Sequence, residues 1–241
     1  MKSIKILLCF VITLIMLANT VFVSALSTGF STEEMSKQEI DRVLQNTEIS
    51  LLQIEPAKKS IECFDANNGL VAIGCSESMN KTVCIYTETG EFLYGYRFKS
   101  SGSFGIDLVD NVLNIYLVRS DVALSIDSSG TVIDVQKIQN TQENNDYWAE
   151  VLHETERVNG DKKYKIKNDM GLLNFFAFSY SQLVVINANG EENIIYDVNT
   201  TQTFYTVALI IFVVLFVCLA VFLMIKEIRK GRQGDGSVVP K

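Results

Sequence analysis

Ser60 to Phe98 reads SIECFDANNGLVAIGCSESMNKTVCIYTETGEFLYGYRF, and two later stretches line up on it. Ser103 to Ile138 reads SFGIDLVDNVLNIYLVRSDVALSIDSSGTVIDVQKI. Lys162 to Val198 reads KKYKIKNDMGLLNFFAFSYSQLVVINANGEENIIYDV. Each divides into four short apolar or alternating runs, the pattern of half-buried or fully buried strands. The second runs open at Gly69-Leu70-Val71, Asn111-Val112-Leu113 and Gly171-Leu172-Leu173. The third runs end in Thr87-Glu88-Thr89-Gly90, Asp127-Ser128-Ser129-Gly130 and Asn187-Ala188-Asn189-Gly190. A polar side chain that caps its own turn, followed by a glycine free to take φ > 0, is what a tight hairpin requires. From Gly69 to Gly90 is 21 residues, and from Asn111 to Gly130 and Gly171 to Gly190 is 19 each, so the three stretches are expected to be one repeated unit.

A four-stranded antiparallel unit of about 40 residues ending in a polar-x-x-Gly hairpin resembles a blade of a β-propeller. The Gly-His and Trp-Asp signatures of WD-repeat blades are absent, and no aromatic recurs at one position. The resemblance therefore implies an architecture and no functional residues. The expected fold is mainly β: three blade-like four-stranded antiparallel units, as a partial propeller or as open sheets. A short N-terminal helix and one C-terminal transmembrane helix complete it.

Closed propellers need at least four blades, so three leave two open faces. Covering by the flanks, residues 26–59 and 139–161, is the favoured solution. Pairing of two chains into a six-bladed ring is the next. A sandwich or open sheet is the third. In the first flank, Ser31-Thr32-Glu33-Glu34 reads as a capping box, ahead of a helix over Thr32 to Gln45 that presents Ile40, Val43 and Leu44 on one face. Ile49 to Ile54 reads as a strand. In the second flank, Gln139 to Asp146 reads as loop, and Trp148–Arg157 with Lys162–Lys167 as a hairpin around Asn159-Gly160.

Two apolar stretches bracket this domain. Ile6 to Val23, behind Lys2 and Lys5, ends in Val23-Ser24-Ala25 and reads as a signal peptide cleaved after Ala25. The run exceeds the usual ~7–15 residues of such a segment, so an uncleaved anchor is the alternative. Phe204 to Ile225 has no charged residue, and at 1.5 Å per residue it spans the ~30 Å hydrocarbon core of a bilayer. Lys226, Arg229, Lys230 and Arg232 follow, which puts the tail in the cytoplasm. The expected order is signal peptide 1–25, helix–strand cap 26–59, extracytoplasmic β domain 60–202, transmembrane helix 203–225 and cytoplasmic tail 226–241, in a single-pass protein of the cell membrane. A composition rich in Asn, Ile and Lys with two prolines is similar to that of a bacterial chain.

The chain carries −7 overall, but residues 26–202 hold 14 Lys and Arg against 26 Asp and Glu, a net −12. Such a field repels nucleic acid, which is excluded as a partner. The expected partners are the lipid bilayer and either a second copy or another membrane or surface protein. No cofactor is expected. His153 is the one histidine, on a segment read as strand, and no motif ties a nucleophile to it; no G-x-S-x-G, H-E-x-x-H, C-x-x-C or P-loop pattern occurs. Asp65-Ala66-Asn67-Asn68-Gly69 resembles the start of a calcium loop, but Ser76 stands where its bidentate Glu belongs, so these residues read as a turn and no metal site is expected. Cys75 and Cys84 flank a hairpin loop and form a candidate disulfide, with free apolar thiols as the alternative. Tyr147 and Trp148, on the segment that interrupts the repeat, are candidate contact residues or caps of an open face. No catalytic residue stands out. The leading expectation is an anchored binding or interaction module rather than an enzyme. A structural or sensory accessory subunit and a carboxylate-based surface hydrolase are the competing readings.

Overall fold

The computed structural model describes residues 29–177 and 179–234, without the side chains of Leu152, His153 and residues 227–234. Ala25 and the rest of the expected signal peptide lie outside the described residues, as does the end of the tail.

Three antiparallel sheets form the domain. The first is a meander of β3 (Ile61–Asn67), β4 (Leu70–Glu77), β5 (Asn80–Thr87) and β6 (Phe92–Lys99), with the short β2 (Ser50–Leu52) added beside β6. The second is β7 (Phe104–Val109), β8 (Val112–Leu117), β9 (Val122–Ile126) and β10 (Val132–Ile138), with β1 (Thr32–Glu34) added beside β10. The third is β11 (Glu156–Asn159), β12 (Lys162–Lys167), β13 (Gln182–Ile186) and β14 (Glu192–Asp197).

Turn chemistry sets the registers. Asn68-Gly69 and Asp110-Asn111 take positive φ at both central residues (49° and 79°, 48° and 65°), the mirror-image turn that matches strand twist. The three polar-x-x-Gly turns share one geometry. The N–H of Gly90, Gly130 and Gly190 donates to the carbonyl three residues back at 3.0, 2.9 and 2.8 Å, and the glycine φ values are 84°, 87° and 83°. A bulge follows each turn, where the pairing skips Leu93, Ile133 and Ile195.

The first sheet lies in the middle. Cys63, Ala72, Val83, Ile85, Tyr96 and Phe98 pack against Phe104, Ile106, Ile115 and Leu124 of the second sheet. From its other face Phe64, Val71, Ile73 and Tyr86 pack against Tyr164, Ile166, Leu183 and Tyr196 of the third. A sheet covered on both sides needs strands apolar at successive positions, and Val71, Ala72 and Ile73 are all fully buried. The spatial order is thus second–first–third, and no closed ring forms among the described residues.

The N-terminal segment ties two of these sheets together. Helix α1 (Lys37–Thr47) runs between β1 and β2, and Met35, Ile40, Val43 and Leu44 cover the rim of the core between the first and second sheets. Its capping box is Ser36 with Glu39, not Ser31 with Glu34: the Glu39 N–H donates to Ser36 Oγ at 3.4 Å and the Ser36 N–H to Glu39 Oε2 at 2.9 Å. Both quartets have the Ser-x-x-Glu spacing. Thr32–Glu34 is drawn instead into strand pairing with Gln136–Ile138.

Two further expectations change. The stretch read as loop and then strand is helix α2 (Gln142–His153), capped by Thr141 and laid on the second sheet's free face. His153 is its last residue, so it is not on a strand. In the third unit the run at Gly171 is a 3-10 turn, Gly171–Phe176, and β11 supplies the fourth strand from outside 162–198. Helix α3 (Asn199–Gly234) starts two residues after β14. It includes the one helix among the described residues long and apolar enough to cross a membrane, Asn199–Lys226.

Two glycines separate space from conformation. A Cβ on Gly74 would lie 2.4 Å from Cys63 Sγ and 2.9 Å from the Phe104 ring, whereas one on Gly190 (φ +83°) meets nothing. Gly74→Ala is expected to cost about 1–3 kcal/mol through overpacking. Gly190→Ala is expected to cost about 1 kcal/mol through backbone strain alone. Urea unfolding of the full chain in detergent checks both.

Candidate binding groove at the root of the C-terminal helix

A cavity of about 1440 Å³ opens where the three sheets meet the first turns of α3. Its walls come from the 57–62 segment, from Ser76 and Glu77 of β4, and from Ser103 and Val118, which flank β7 and β8. Glu154, Tyr180, Asp197, Thr201, Gln202 and Tyr205 close the other side.

Hydrogen bonds hold this junction. Ile61 and Tyr180 exchange backbone bonds at 2.8 and 3.3 Å, tying the start of β3 to the strand entering β13. Gln202 is buried; its Nε2 donates to Ser179 O at 2.8 Å and Asn168 Oδ1 at 3.3 Å, and its Oε1 accepts from Ser60 Oγ at 3.3 Å. The Asn199 N–H donates to Asp197 Oδ1 at 2.6 Å, satisfying one of the open donors at a helix start. The helix is therefore fixed to one end of the third sheet, through Asn168, Ser179 and Asp197, and to Ser60 ahead of β3.

Glu62 lines the groove as a half-buried acid. Burial pushes its carboxyl above the ordinary carboxylate value, with Lys81 opposing the shift. It accepts from Ser76 Oγ and from the Phe104 N–H at 3.4 Å, while the buried Lys81 Nζ donates to Ser76 Oγ at 2.8 Å. Lys59 pairs with Glu77 at the rim.

Glu154 leads from the groove to a second polar cluster, where the first strands of all three four-stranded meanders converge. Its carboxylate lies 3.2 Å from Arg157 Nη1. Arg157 Nε is 3.1 Å from Asp65 Oδ1 and Nη2 is 3.8 Å from Asp107 Oδ1. Asp65 also accepts the Leu108 N–H at 2.6 Å, and Asp107 accepts the hydroxyls of Tyr116 and Tyr147 at 2.9 and 2.8 Å. Burial is the largest influence on both carboxyls and raises them; Arg157 and these donors pull the other way. Asp65 is thus a strand residue with an ionic partner rather than part of a turn. Among the described residues no group of three or more His, Cys, Asp and Glu could hold a metal.

A smaller cavity of about 380 Å³ lies across the Pro56–Lys59 segment, bounded by Cys75, Cys84, Tyr86, Arg97 and Tyr196. Lys58 Nζ sits 5.0 Å from the Tyr196 ring centroid. Tyr196 Oη donates to Lys59 O at 2.7 Å and accepts the Lys59 N–H at 2.8 Å, holding the wall between the two cavities. Cys75 pairs in register with Thr82, and Cys84 with Ile73; both are buried free thiols, so the candidate bridge is not formed. Diagonal strand neighbours stand about 7–8 Å apart, beyond disulfide reach. Burial pushes their pKa values up to about 11 and about 12, which keeps them protonated and unreactive at neutral pH.

Tyr147 and Trp148 lie away from the groove. Their rings pack 4.5 and 4.7 Å from that of Phe30, which also meets Tyr116 at 4.7 Å, over the second sheet's free face. The capping role weighed for them is the one this packing displays. Glu62, Arg157 and Gln202 were not singled out from the sequence. For Asp65 and Asp107 a signal existed: an acid between apolar neighbours, three residues before a hairpin turn in both units.

Comparison with protein-family models, with curated proteins and with solved structures finds no match to this chain.

Arg157→Met leaves two buried carboxylates without their cation, and is expected to cost about 3–5 kcal/mol in urea unfolding. Glu62 gives a pH test. A carboxyl raised in the folded state holds its proton more tightly there than in the unfolded chain. Its contribution is therefore most favourable below the ordinary value of about 4.5 and is lost as pH rises through the folded value. Glu62→Gln should gain stability on the parent between pH 4 and pH 7. A parent that instead gains on the variant over that range would show the Lys81 attraction to be the stronger influence.

Proposed function

We propose that this chain is a membrane-anchored extracytoplasmic binding module whose ligand sits in the groove at the root of α3. In this reading the β domain is outside the cell, α3 crosses the cell membrane, and the basic tail is cytoplasmic, as the cations from Lys226 to Arg232 favour. The three sheets are blade-like units of one repeat, arranged as an open arc.

One observation carries the reading: the large cavity is walled jointly by the domain and by Thr201, Gln202 and Tyr205 of the helix itself. Large concave sites with a few convergent polar groups are the usual places for ligands. The same wall favours the second reading, a sensory or accessory subunit, because an occupant would touch the segment that enters the membrane. A carboxylate hydrolase draws less support: the most buried acids, Asp65 and Asp107, are already engaged by Arg157, Leu108 N–H and two tyrosines. The covering of the second sheet by α2 also speaks against ring closure by two chains.

A photo-reactive phenylalanine analogue at Tyr180 in the groove, and separately at Val158 on the third sheet's outer face, tests the proposal in the native membrane. The expected result is a discrete adduct from position 180 and none from 158, its added mass identifying the occupant. Equal or absent adduct at 180 overturns the groove as the binding site. An adduct of twice the monomer mass from 180 would make the occupant a second copy.

A further inference from the structure

In a domain of net −12, Met170 to Gln182 contains no charged residue, and three of its large apolar side chains lie outside the core. Leu172 is 96 % exposed, Phe175 89 % and Phe176 48 %, on the 3-10 turn Gly171–Phe176. Scattered exposed apolar residues are ordinary on a protein surface, but three on one short turn need a partner.

The turn is built to hold them outward. Asn174 Oδ1 accepts the Met170 N–H at 2.8 Å and its Nδ2 donates to Asn168 O at 3.2 Å. The Leu173 N–H donates to Met170 O and the Ala177 N–H to Asn174 O, at 3.2 and 3.1 Å. Gly171, at φ +58°, permits the reversal. These bonds satisfy backbone groups internally, which entry into an apolar medium demands.

The turn's position follows from its ties to α3. Asn199 Nδ2 donates to Asp169 O at 2.7 Å, and Gln202 Nε2 to Asn168 Oδ1 at 3.3 Å. The turn itself packs against the helix. Phe204 and Tyr205, both exposed, come within one turn of Gln202, a rise of about 3–5 Å, and open the apolar span. Aromatic rings at that level favour the headgroup zone.

We propose that Leu172, Phe175 and Phe176 form a second membrane contact, a wedge that enters the outer interface of the lipid bilayer beside α3. The inference rests on the reading of α3 as the membrane anchor. The occupant is lipid rather than a protein groove because the turn packs against the helix and is fixed to its first turn, where the apolar span begins. A domain held at α3 alone can tilt about that helix. Held at two points, it keeps its base, and the groove's mouth, at a set angle to the membrane.

The experiment is tryptophan quenching in phosphatidylcholine vesicles, with and without bromine on the acyl chains, using the full chain and subtracting the emission of native Trp148. Phe175→Trp, Val158→Trp and Phe212→Trp are compared; the first two sites are exposed and tolerate the ring, and the third is mid-span. The expected result is loss of emission in brominated lipid at positions 175 and 212, none at 158, and blue-shifted emission at 175. Quenching at 212 with none at 175 overturns the wedge alone and leaves the turn to a protein partner. No quenching at 212 overturns the anchor reading, and the wedge with it.

Discussion

The convergence of three strands on one guanidinium is the constraint from which the rest of the arrangement follows. Arg157 comes from β11, Asp65 from β3 and Asp107 from β7, the first strand of each four-stranded meander. Its Nε also reaches Phe64 O at 3.2 Å, and its guanidinium carbon stands 5.9 Å from the Phe64 ring centroid. A buried ion cluster contributes little net stability against an apolar replacement, because desolvation offsets the attraction. What it adds is geometry: few placements of β11 put one planar cation against two fixed acids. Asn159, at the end of the same strand, donates to Ala66 O at 3.0 Å, and Asn67 to Leu108 O at 2.6 Å. The inner strands are thereby stitched side by side, while hydrophobic burial on both faces of the first sheet supplies the stabilising energy.

The two outer sheets are finished by different physics. On the second sheet, Tyr116, Ala123 and Ile138 are covered by Phe30 and by Tyr147, Trp148 and Val151 of α2. Among the described residues nothing comparable covers the outer face of the third sheet, which is made wettable. Lys163 and Lys165 share Glu156 at 2.5 and 2.7 Å, and Lys167 pairs with Glu192. Exposed pairs of this kind contribute little to stability, but they keep a sheet face hydrated and unattractive to another sheet. Joining two chains through these outer sheets would mean displacing α2 from one and desolvating charges on the other.

What could be read from the sequence was what local chemistry decides. The hairpin turns at Asn68-Gly69, Asp127–Gly130 and Asn187–Gly190 follow from side-chain capping and positive φ, and they carried the strand limits of the first two sheets with them. Where long-range pairing decides, the reading went astray. Ser31–Glu34 and Ser36–Glu39 satisfy one capping rule equally, and only the open edge of β10 selects between them. Helix α2 did leave a trace: Asn144, Tyr147, Trp148 and Val151 follow helical spacing and face the sheet. Their small number, among Gln142, Glu143, Asn145 and Asp146, hid it. The Gly171 run was aligned with strands by its leucines, and Asn174 is what closes it into a turn. The groove was illegible for a plainer reason: Glu62, Tyr180 and Gln202 are distant in sequence and meet only after three sheets have packed.

The junction with α3 is where fold and proposed function become the same problem. Strand β14 and the helix are separated by Val198 alone, which is buried and whose N–H donates to Ser181 O at 2.8 Å. A flexible tether would have left the domain free of the helix; here Gln202 is buried between the 168–180 loop and Ser60, so the helix axis is set by the domain's own packing. A rotation of the helix would then break bonds to Ser60, Asn168 and Ser179 together. Those residues border the same cavity or the loop behind it, so an occupant that prefers one helix orientation biases the other by an equal free energy. Coupling of this kind requires no moving part beyond the junction, only that the groove and the first turn of the helix share their hydrogen-bond partners.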